Sequence, residues 1–301
     1  MLGHRVTIIG GSGGMGKIFA KIFKKNEFEV ILTARNKDKL KDVANELGVT
    51  YEHNLHKSVK EADIVMISIP INSTVHMIEE IAPILKSNAL LFDITSLKTN
   101  VYNALYKAQN IYPINCISLH PMFGPGIQSL NNYNLIILKV GESDDYSSQI
   151  NVFLNIFQKE GLKIIQIENA QYHDKMMALV LGTPHMFNIL YLSLLKNSNI
   201  ELKELMKYTG TTFLLQTVFA ESIIQREMEM FGEIQIKNNE FHKLLNQFEN
   251  IVQNYKDIIL KEDIQQFKEL FTSGKKYSEK DKRFKKSYDY FYEFLKIIKK
   301  E

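Results

Sequence analysis

The stretch that decides the fold is RVTIIGGSGGMG, residues 5–16. A short apolar run passes directly into the pattern G-x-G-x-x-G, and the amphipathic segment Lys17–Lys25 follows it. A strand before this pattern and a helix after it are the context in which it binds the pyrophosphate of a dinucleotide. We expect Gly11 to allow a tight turn, Gly13 to let the backbone approach the phosphates, and Gly16 to let the helix pack against the strand. The predicted loop, whose helix N-terminus offers free N–H groups to phosphate, comprises Gly11, Ser12, Gly13, Gly14, Met15 and Gly16.

Beyond this loop, the first half of the chain alternates short apolar runs with helix-length amphipathic segments. The runs are Val6–Ile9, Val30–Thr33, Ile64–Ile69, Leu90–Ile94, Cys116–Leu119, Leu135–Val140 and Lys163–Ile167. They are rich in Val and Ile and nearly continuous, as is typical of strands buried on both faces of a mainly parallel sheet. The alternation predicts an α/β fold, a doubly wound Rossmann domain over residues 1–168.

The second half has a different pattern, in which long stretches carry helical spacing. These stretches are Tyr172–Leu195, Ile200–Arg226, Asn239–Leu260 and Tyr277–Lys299. Only one proline, Pro184, occurs among them, and it is expected to kink its helix. We therefore predict an all-helical domain over residues 169–301. Its apolar periodic surface exceeds what one layer of helices needs, which predicts a homodimer formed through these helices.

Composition narrows the class of protein. The chain has 301 residues, 45% of them hydrophobic and 24% charged, and a net charge of +3. The basic excess near residues 275–286 is interpreted as a solvated helix face, so we expect no nucleic-acid partner. One cysteine, Cys116, fits a reducing cytoplasm. No apolar stretch of 18 residues was identified, so no membrane span is expected. His53 and His56 lie in a loop-like stretch without further ligand-type residues nearby, and we expect no metal site.

The end of the second strand bears on the cofactor. NAD sites usually place an acidic residue there, whereas this chain reads Thr33-Ala34-Arg35-Asn36-Lys37. A guanidinium binds phosphate in a fork, so Arg35 and Lys37 favour NADP, with NAD as the alternative. Pro70, after the run Ile64–Ile69, completes the predicted cofactor site.

Further polar segments follow the ends of predicted strands, where ligands bind in open α/β sheets. They are HPMFGP at residues 120–125, DITSLK at residues 93–98, and YHDK at residues 172–175, with His185 further along. In order and spacing these segments resemble the prephenate/arogenate dehydrogenases, and the glycine loop with its doubled Gly10-Gly11 resembles the archaeal and enteric forms. The resemblance extends from about residue 5 to about residue 270.

The resemblance implies oxidative decarboxylation of prephenate to 4-hydroxyphenylpyruvate, a step of tyrosine biosynthesis. The hydroxyl on the ring must lose a proton as hydride leaves, and a neutral imidazole is suited to accept it. The resemblance gives this catalytic role to His120, and Ser96 would orient the same hydroxyl. His185, His173 and Lys98 are expected to bind substrate, with His185 the better candidate of the two histidines.

One position departs from the family pattern. Bacterial members carry a carboxylate-binding arginine on the second long helix, where this chain has Phe213, which cannot pair with a carboxylate. Lys98, Lys175 and the threonines at 209, 211 and 212 are candidate substitutes. The alternatives are an arogenate dehydrogenase, another NADP-dependent oxidoreductase acting on a β-hydroxy acid, an imine or a deazaflavin, and a non-catalytic dinucleotide-binding protein.

Overall fold

The computed structural model describes residues 4–141, 144–226 and 228–299, with the backbone alone for residues 144–149. The chain divides into two compact units, residues 1–177 and 178–301. This division falls later than the predicted boundary at residue 168. The helix Ala170–Met177 belongs to the first unit because the Asp174 carboxylate accepts hydrogen bonds from the backbone N–H groups of Lys98 and Thr99.

The first unit is built on one sheet of eight strands in the order β3-β2-β1-β4-β5-β6-β7-β8. The strands are β1 (Arg5–Ile9), β2 (Glu29–Thr33), β3 (Thr50–Tyr51), β4 (Ile64–Ile67), β5 (Leu90–Asp93), β6 (Asn115–Pro121), β7 (Asn134–Lys139) and β8 (Lys163–Ile167). All neighbours pair in parallel except β6 and β7. Each predicted apolar run forms a strand, which confirms the doubly wound sheet. The strand β3 was missed because two exposed residues carry no periodic pattern.

Helices cover both faces of this sheet. They are α1 (Gly14–Lys25), α2 (Lys37–Leu47), α3 (Leu55–Lys60), α4 (Ile71–Ile81), α5 (Thr99–Ile111), α6 (Asp144–Lys159) and α7 (Ala170–Met177). Their apolar residues form two separate buried clusters. One cluster is aromatic, with the Phe23 ring in contact with Phe92, Phe153 and Phe157 at centroid distances of 6.5, 6.2 and 6.1 Å. This packing holds the carboxyl ends of the central strands in fixed positions.

The second unit is helical, as predicted. It consists of α8 (Thr183–Asn197), α9 (Leu202–Leu205), α10 (Thr211–Ile224), α11 (Met228–Ile236), α12 (Asn239–Leu260), α13 (Ile264–Ser278) and α14 (Ser287–Ile298), with short 3₁₀ turns at Met206–Tyr208 and Phe284–Lys286. The helices α11 and α13 fill stretches to which no helix was assigned from the sequence.

Pro184 does not break its helix. A π-helical turn at Ala178–Gly182 precedes it, and the helical path continues from Ala170 to Asn197. Proline lacks an N–H and its ring clashes with the carbonyl four residues earlier, and a wider turn accommodates both effects.

This continuity corrects one expectation. Among the described residues, the helix Ala170–Asn197 is long and apolar enough to cross a membrane by length and composition. Core helices of soluble proteins satisfy the same criterion. Helix α8 exposes several apolar residues, among them Phe187, Leu190 and Leu194.

Candidate active site

The glycine loop ties the first two strands of the Rossmann unit together. The N–H groups of Gly10 and Gly11 donate to the Thr33 carbonyl oxygen at 2.9 and 3.1 Å. Gly11 was predicted to allow the tight turn. The left-handed position of that turn is occupied by Gly10, which has a φ of +79°. Gly11 is required by packing instead, because a Cβ there would lie 2.8 Å from the Leu32 side chain and 3.0 Å from the Ile8 carbonyl oxygen.

The start of α1 offers an anion site. Gly13 is the N-cap residue, and no side chain in the described part of the chain caps this helix. The N–H groups of the first turn are therefore available to a phosphate. A Cβ on Gly16 would lie 2.7 Å from the Gly10 carbonyl oxygen, so α1 packs closely on the loop. Ser12 is buried, while Gly14 is exposed and Met15 is half-buried. This cradle fits the pyrophosphate of a dinucleotide.

Two exposed cations, Arg35 and Lys37, follow β2. Neither forms an ion pair with the residues that the structure describes. Between them, Asn36 caps α2 by accepting from the Lys39 N–H at 3.0 Å. Pro70 is the N-cap residue of α4, after β4, and a Cβ on Gly10 would clash with the Ser68 carbonyl. The carboxyl ends of β1 and β4 therefore meet beside Pro70.

His120 lies within β6, one residue before its end, and is only 3% exposed. The segment that follows β6 returns to the glycine loop, because a Cβ added to Gly14 would lie 2.6 Å from the Pro125 Cβ. The hexapeptide His120–Pro125 therefore connects the histidine to the cofactor loop. No local pattern in the sequence indicates this contact.

Behind His120 lies a chain of hydrogen-bonded groups. The His120 Nδ1 is 2.9 Å from the His173 Nε2, and the His173 Nδ1 is 2.9 Å from the Asp174 Oδ1. Asp174 also accepts from the Lys98 N–H at 2.8 Å and from the Thr99 N–H and hydroxyl at 2.9 and 2.6 Å. His173 therefore uses both ring nitrogens internally. This corrects the prediction that it binds substrate, since the ring lies one step behind His120.

Burial controls the protonation of this chain. Burial, with the neighbouring His173 and Lys98, lowers the pKa of His120 well below its ordinary value. Burial also lowers the pKa of His173, although the hydrogen bond to Asp174 opposes that shift. Burial alone would raise the pKa of Asp174, but the hydrogen bonds from His173, Thr99 and the backbone outweigh it and keep the pKa below its usual range. At neutral pH the pair of imidazoles is therefore neutral and the carboxylate is ionised.

The prediction that Lys98 binds substrate is wrong, because its ammonium group is buried in an ion pair. Its side chain is fully buried, and its ammonium group donates to the Asp93 Oδ2 at 2.7 Å and to the Leu119 carbonyl oxygen at 2.5 Å. Asp93 also accepts from the Ser118 hydroxyl at 2.5 Å and from the Thr95 hydroxyl at 2.6 Å. Burial lowers the pKa of Lys98, and Asp93 partly offsets the shift. The ion pair fixes the end of β6, immediately before His120.

Ser96 and His185 remain accessible in their own units. Ser96 is half-buried in the turn after β5, and Asp93 holds that turn by accepting from the Thr95 N–H at 2.8 Å. His185, in the second unit, packs edge-on against Phe231 at a centroid distance of 4.5 Å. Its Nδ1 is buried and has no hydrogen-bond partner among the described residues, and burial lowers the pKa of this imidazole.

Phe213 lies on α10, and its ring is 6.3 Å from the Tyr191 ring. The position expected for an arginine is thus filled by an aromatic contact. Of the substitutes considered, Lys175, Thr209 and Thr212 are exposed. Lys98 is excluded because its ammonium group is buried against Asp93.

Comparisons with known proteins find relatives that match both halves of the chain. Residues 19–166 match the family model "Prephenate dehydrogenase, nucleotide-binding domain", and residues 169–273 match "Prephenate dehydrogenase, dimerization domain". A protein of Methanocaldococcus jannaschii named "Probable arogenate/prephenate dehydrogenase" is 32% identical over 272 residues, which cover 90% of this chain and 60% of the relative. The "T-protein" of Haemophilus influenzae is 26% identical over 79% of this chain and 57% of its own length. The chain thus spans about three-fifths of the length of these relatives.

Two solved structures share the fold. Prephenate dehydrogenase from Aquifex aeolicus, in complex with hydroxyphenyl propionate and NAD+, superposes with a TM-score of 0.75 at 19% identity, covering 93% of this chain and 99% of the other. Synechocystis arogenate dehydrogenase gives a TM-score of 0.70 at 16% identity, covering 92% and 99%. With both family models matched in order along one chain, and with a relative more than 30% identical across nine-tenths of it, this chain belongs to the prephenate dehydrogenase family.

Proposed function

We propose that the chain is an NAD(P)-dependent prephenate dehydrogenase that converts prephenate into 4-hydroxyphenylpyruvate and carbon dioxide. The observation that carries this proposal is the buried His120, whose Nδ1 is hydrogen-bonded to His173, and we assign its other ring nitrogen, Nε2, to the substrate. A neutral imidazole that is held in place from one side is suited to act as a general base.

Each residue of the site has a separate role in the proposed reaction. The nicotinamide, when bound, supplies the hydride acceptor. His120 takes the proton of the ring hydroxyl at Nε2 as hydride leaves the same ring carbon. Ser96, on the turn after β5, donates to or accepts from that hydroxyl and orients it. The bond from the ring to its carboxylate then breaks, and its electron pair completes the aromatic ring as carbon dioxide leaves. We also assign substrate binding to His185, because its Nδ1 is buried without a partner among the described residues.

For the cofactor we favour NADP over NAD. Arg35 and Lys37 are exposed at the end of β2, where an adenosine ribose is held in Rossmann domains, and two cations suit a 2′-phosphate. The Aquifex aeolicus neighbour was solved with NAD+, so NAD is the alternative for this chain. Gly11, Gly13 and Gly16 would accommodate the pyrophosphate of either.

For the assembly we propose a homodimer formed by the helical unit. Residues 169–273 match a dimerization domain. The exposed apolar residues of α8, Phe187, Leu190 and Leu194, need a cover that the described single chain does not supply from its own unit.

Arogenate is the second candidate substrate. It differs from prephenate in the side chain remote from hydride transfer, and Phe213 stands where bacterial members bind a carboxylate with arginine. The test follows nicotinamide reduction with prephenate and with arogenate, each in the presence of NAD and of NADP. If neither prephenate nor arogenate is converted with NAD or with NADP, the proposal is wrong.

The same assay tests His120. The variant His120→Asn keeps a hydrogen-bonding side chain but cannot take the proton, and kcat should fall by roughly 10²- to 10⁴-fold. Cofactor affinity, measured by fluorescence titration, should stay unchanged because the glycine loop is intact. Near-normal turnover by His120→Asn would show that this histidine is structural.

A further inference from the structure

We infer that His173 and Asp174 are positioning residues that fix the tautomer of His120, so that its proton sits on Nδ1 and its lone pair on Nε2. The inference rests on the proposed function, in which Nε2 is the base. It follows from hydrogen-bond geometry within the first unit, read outward from the carboxylate.

The starting point is Asp174, which can only accept. Its Oδ1 receives the Lys98 N–H and its Oδ2 receives the Thr99 N–H, at 2.8 and 2.9 Å, and backbone amides are obligatory donors. The Thr99 hydroxyl adds a third donor at 2.6 Å. Both oxygens therefore act as acceptors, and the His173 Nδ1, 2.9 Å from Oδ1, must donate to it.

The second link is between the two rings. A neutral imidazole carries one proton, so His173 with its proton on Nδ1 presents a lone pair at Nε2. That lone pair lies 2.9 Å from the His120 Nδ1, which must then donate. His120 is left with a lone pair on Nε2. The rings meet at 61°, with centroids 5.1 Å apart, so the two nitrogens share one proton across a buried contact.

The surrounding charges support this order of protons. The titratable groups around His120 are His173 and Asp174 on α7, Asp93 on β5 and Lys98 before α5. Lys98 lies in the same buried environment and lowers the pKa of both imidazoles. A proton that arrives on His120 at Nε2 creates an imidazolium, and the Asp174 carboxylate stabilises that charge through His173.

The inference predicts how the tautomer changes. In Asp174→Asn one oxygen replaces two, and we expect it to keep the place of Oδ2, where Thr99 supplies two donors, so that the NH₂ takes the place of Oδ1 and faces His173. The proton of His173 moves to Nε2, and His120 is then protonated on Nε2, the wrong nitrogen for a base. In a serine-protease triad the same kind of substitution lowers kcat by about 10⁴-fold. For this longer relay we expect kcat to fall by about 10²- to 10³-fold, with KM changed less than about threefold.

The experiment reads the tautomer directly. Nitrogen-15 NMR of the full chain with labelled histidines reports which ring nitrogen of His120 carries the proton, and His120→Asn identifies its signals among the eight histidines. We expect Nδ1–H in the unmodified protein and Nε2–H in Asp174→Asn. The matched control is Asp63→Asn, since Asp63 also accepts a backbone N–H, from Arg5 at 2.9 Å, and pairs with Lys86. It should leave both the tautomer and kcat unchanged.

Two variants at position 173 keep the test decisive if Asp174→Asn does not fold. His173→Gln retains an acceptor near the place of Nε2, whereas His173→Leu removes it, so the Gln variant should keep at least about tenfold more kcat than the Leu variant. An Nε2–H tautomer in the unmodified protein overturns the inference, and so does equal activity of the two variants. The NMR result needs no turnover, so absence of dehydrogenase activity with an Nδ1–H tautomer would reject the proposed function alone.

Discussion

The two units of this chain differ in how they bury apolar side chains. In the Rossmann unit both faces of the sheet are covered by helices of the same chain, and large residues such as Phe19, Phe92 and Phe157 are fully buried. In the helical unit few large apolar residues are buried, and Leu194, Phe271 and Tyr277 are 70%, 69% and 79% exposed. A sheet with two helical layers closes its own core, whereas a single layer of helices needs a second surface. The hydrogen-bonded groups from His120 to Asp174 lie in the self-contained unit.

The largest effect is expected when charge is placed on the apolar face of α8, which we propose to lie in the dimer interface. Leu190 and Leu194 are four residues apart and share one face of the helix. Replacing both with glutamate puts four carboxylates into the proposed dimer interface, and the dissociation constant should rise by about 10⁴-fold. Analytical ultracentrifugation over a concentration series measures it. The control is Ile111→Glu, at a residue of the Rossmann unit that is 59% exposed, and it should not alter assembly. An unchanged dimer in the double variant would move the interface away from α8.

The second prediction concerns charge inside the self-contained core. Lys98→Ala leaves the Asp93 carboxylate buried without its cation, and the free energy of unfolding should fall by about 3 to 5 kcal/mol. Denaturant titration followed by circular dichroism measures this loss. Lys86→Ala removes a comparable pair with the partly exposed Asp63, and it should cost about 1 kcal/mol or less. Equal losses in the two variants would mean that burial of the Lys98 pair has no energetic consequence.

The third prediction tests the cofactor edge of the same unit. If Arg35 binds a 2′-phosphate, Arg35→Ala should lower kcat/KM with NADP by about 30-fold, or about 2 kcal/mol, and leave kcat/KM with NAD unchanged. Steady-state rates with both cofactors decide it. The control is Lys39→Ala, which removes an exposed cation within α2. Losses of the same size with NAD and with NADP would remove Arg35 from the 2′-phosphate site.

The smallest effect is on the pH dependence of stability. The folded pKa values of His120 and His173 lie below the ordinary value of about 6.5. As pH falls through about 6.5 the unfolded chain binds protons that the folded chain does not, so stability decreases from there downward, by at most about 1.4 kcal/mol per pH unit and histidine. Above about pH 7.5 these groups contribute no slope. Asp174, with its lowered pKa, adds a further loss only near and below its ordinary value of about 3.9.

Unfolding in denaturant at pH 7.5, 6.5 and 5.5 measures this slope. Burial lowers the pKa of His185 as well, so His120→Asn removes one of three contributing histidines, and stability should decline less steeply than in the unmodified chain. A slope that His120→Asn leaves unaltered would mean that His120 is not neutral in the folded state.

Much of the Rossmann unit could be predicted because its signals are local. Each strand except β3 is a continuous apolar run, and the glycine pattern predicts a strand before it and a helix after it. The helical unit was predicted as a class, but the π-helical turn before Pro184 was not. Whether a proline breaks a helix depends on the turn before it, and a π-helical turn has no signature in hydrophobic spacing.

The candidate residues of the site could be named from the sequence, but their contacts could not. His120 and His173 are 53 positions apart, and their contact depends on the register of β6 and the placement of α7. The adjacent pair His173-Asp174 was the available signal that a carboxylate orients an imidazole. Lys98 was misassigned because a lysine after a strand is normally solvated, and only the buried Asp93 explains why its side chain is directed inward.

The contact between Gly14 and Pro125 has a consequence for how the family can diverge. A Cβ at position 14 would stand 2.6 Å from the proline, so any larger side chain there must displace the segment that begins at His120. Positions 14 and 125 are thus expected to covary among homologues, with a bulkier residue in the glycine loop accompanied by a smaller or shifted one after β6. The residue at position 14 of the glycine loop and the segment that begins at His120 are therefore expected to change together in evolution, because one added Cβ brings them into steric conflict.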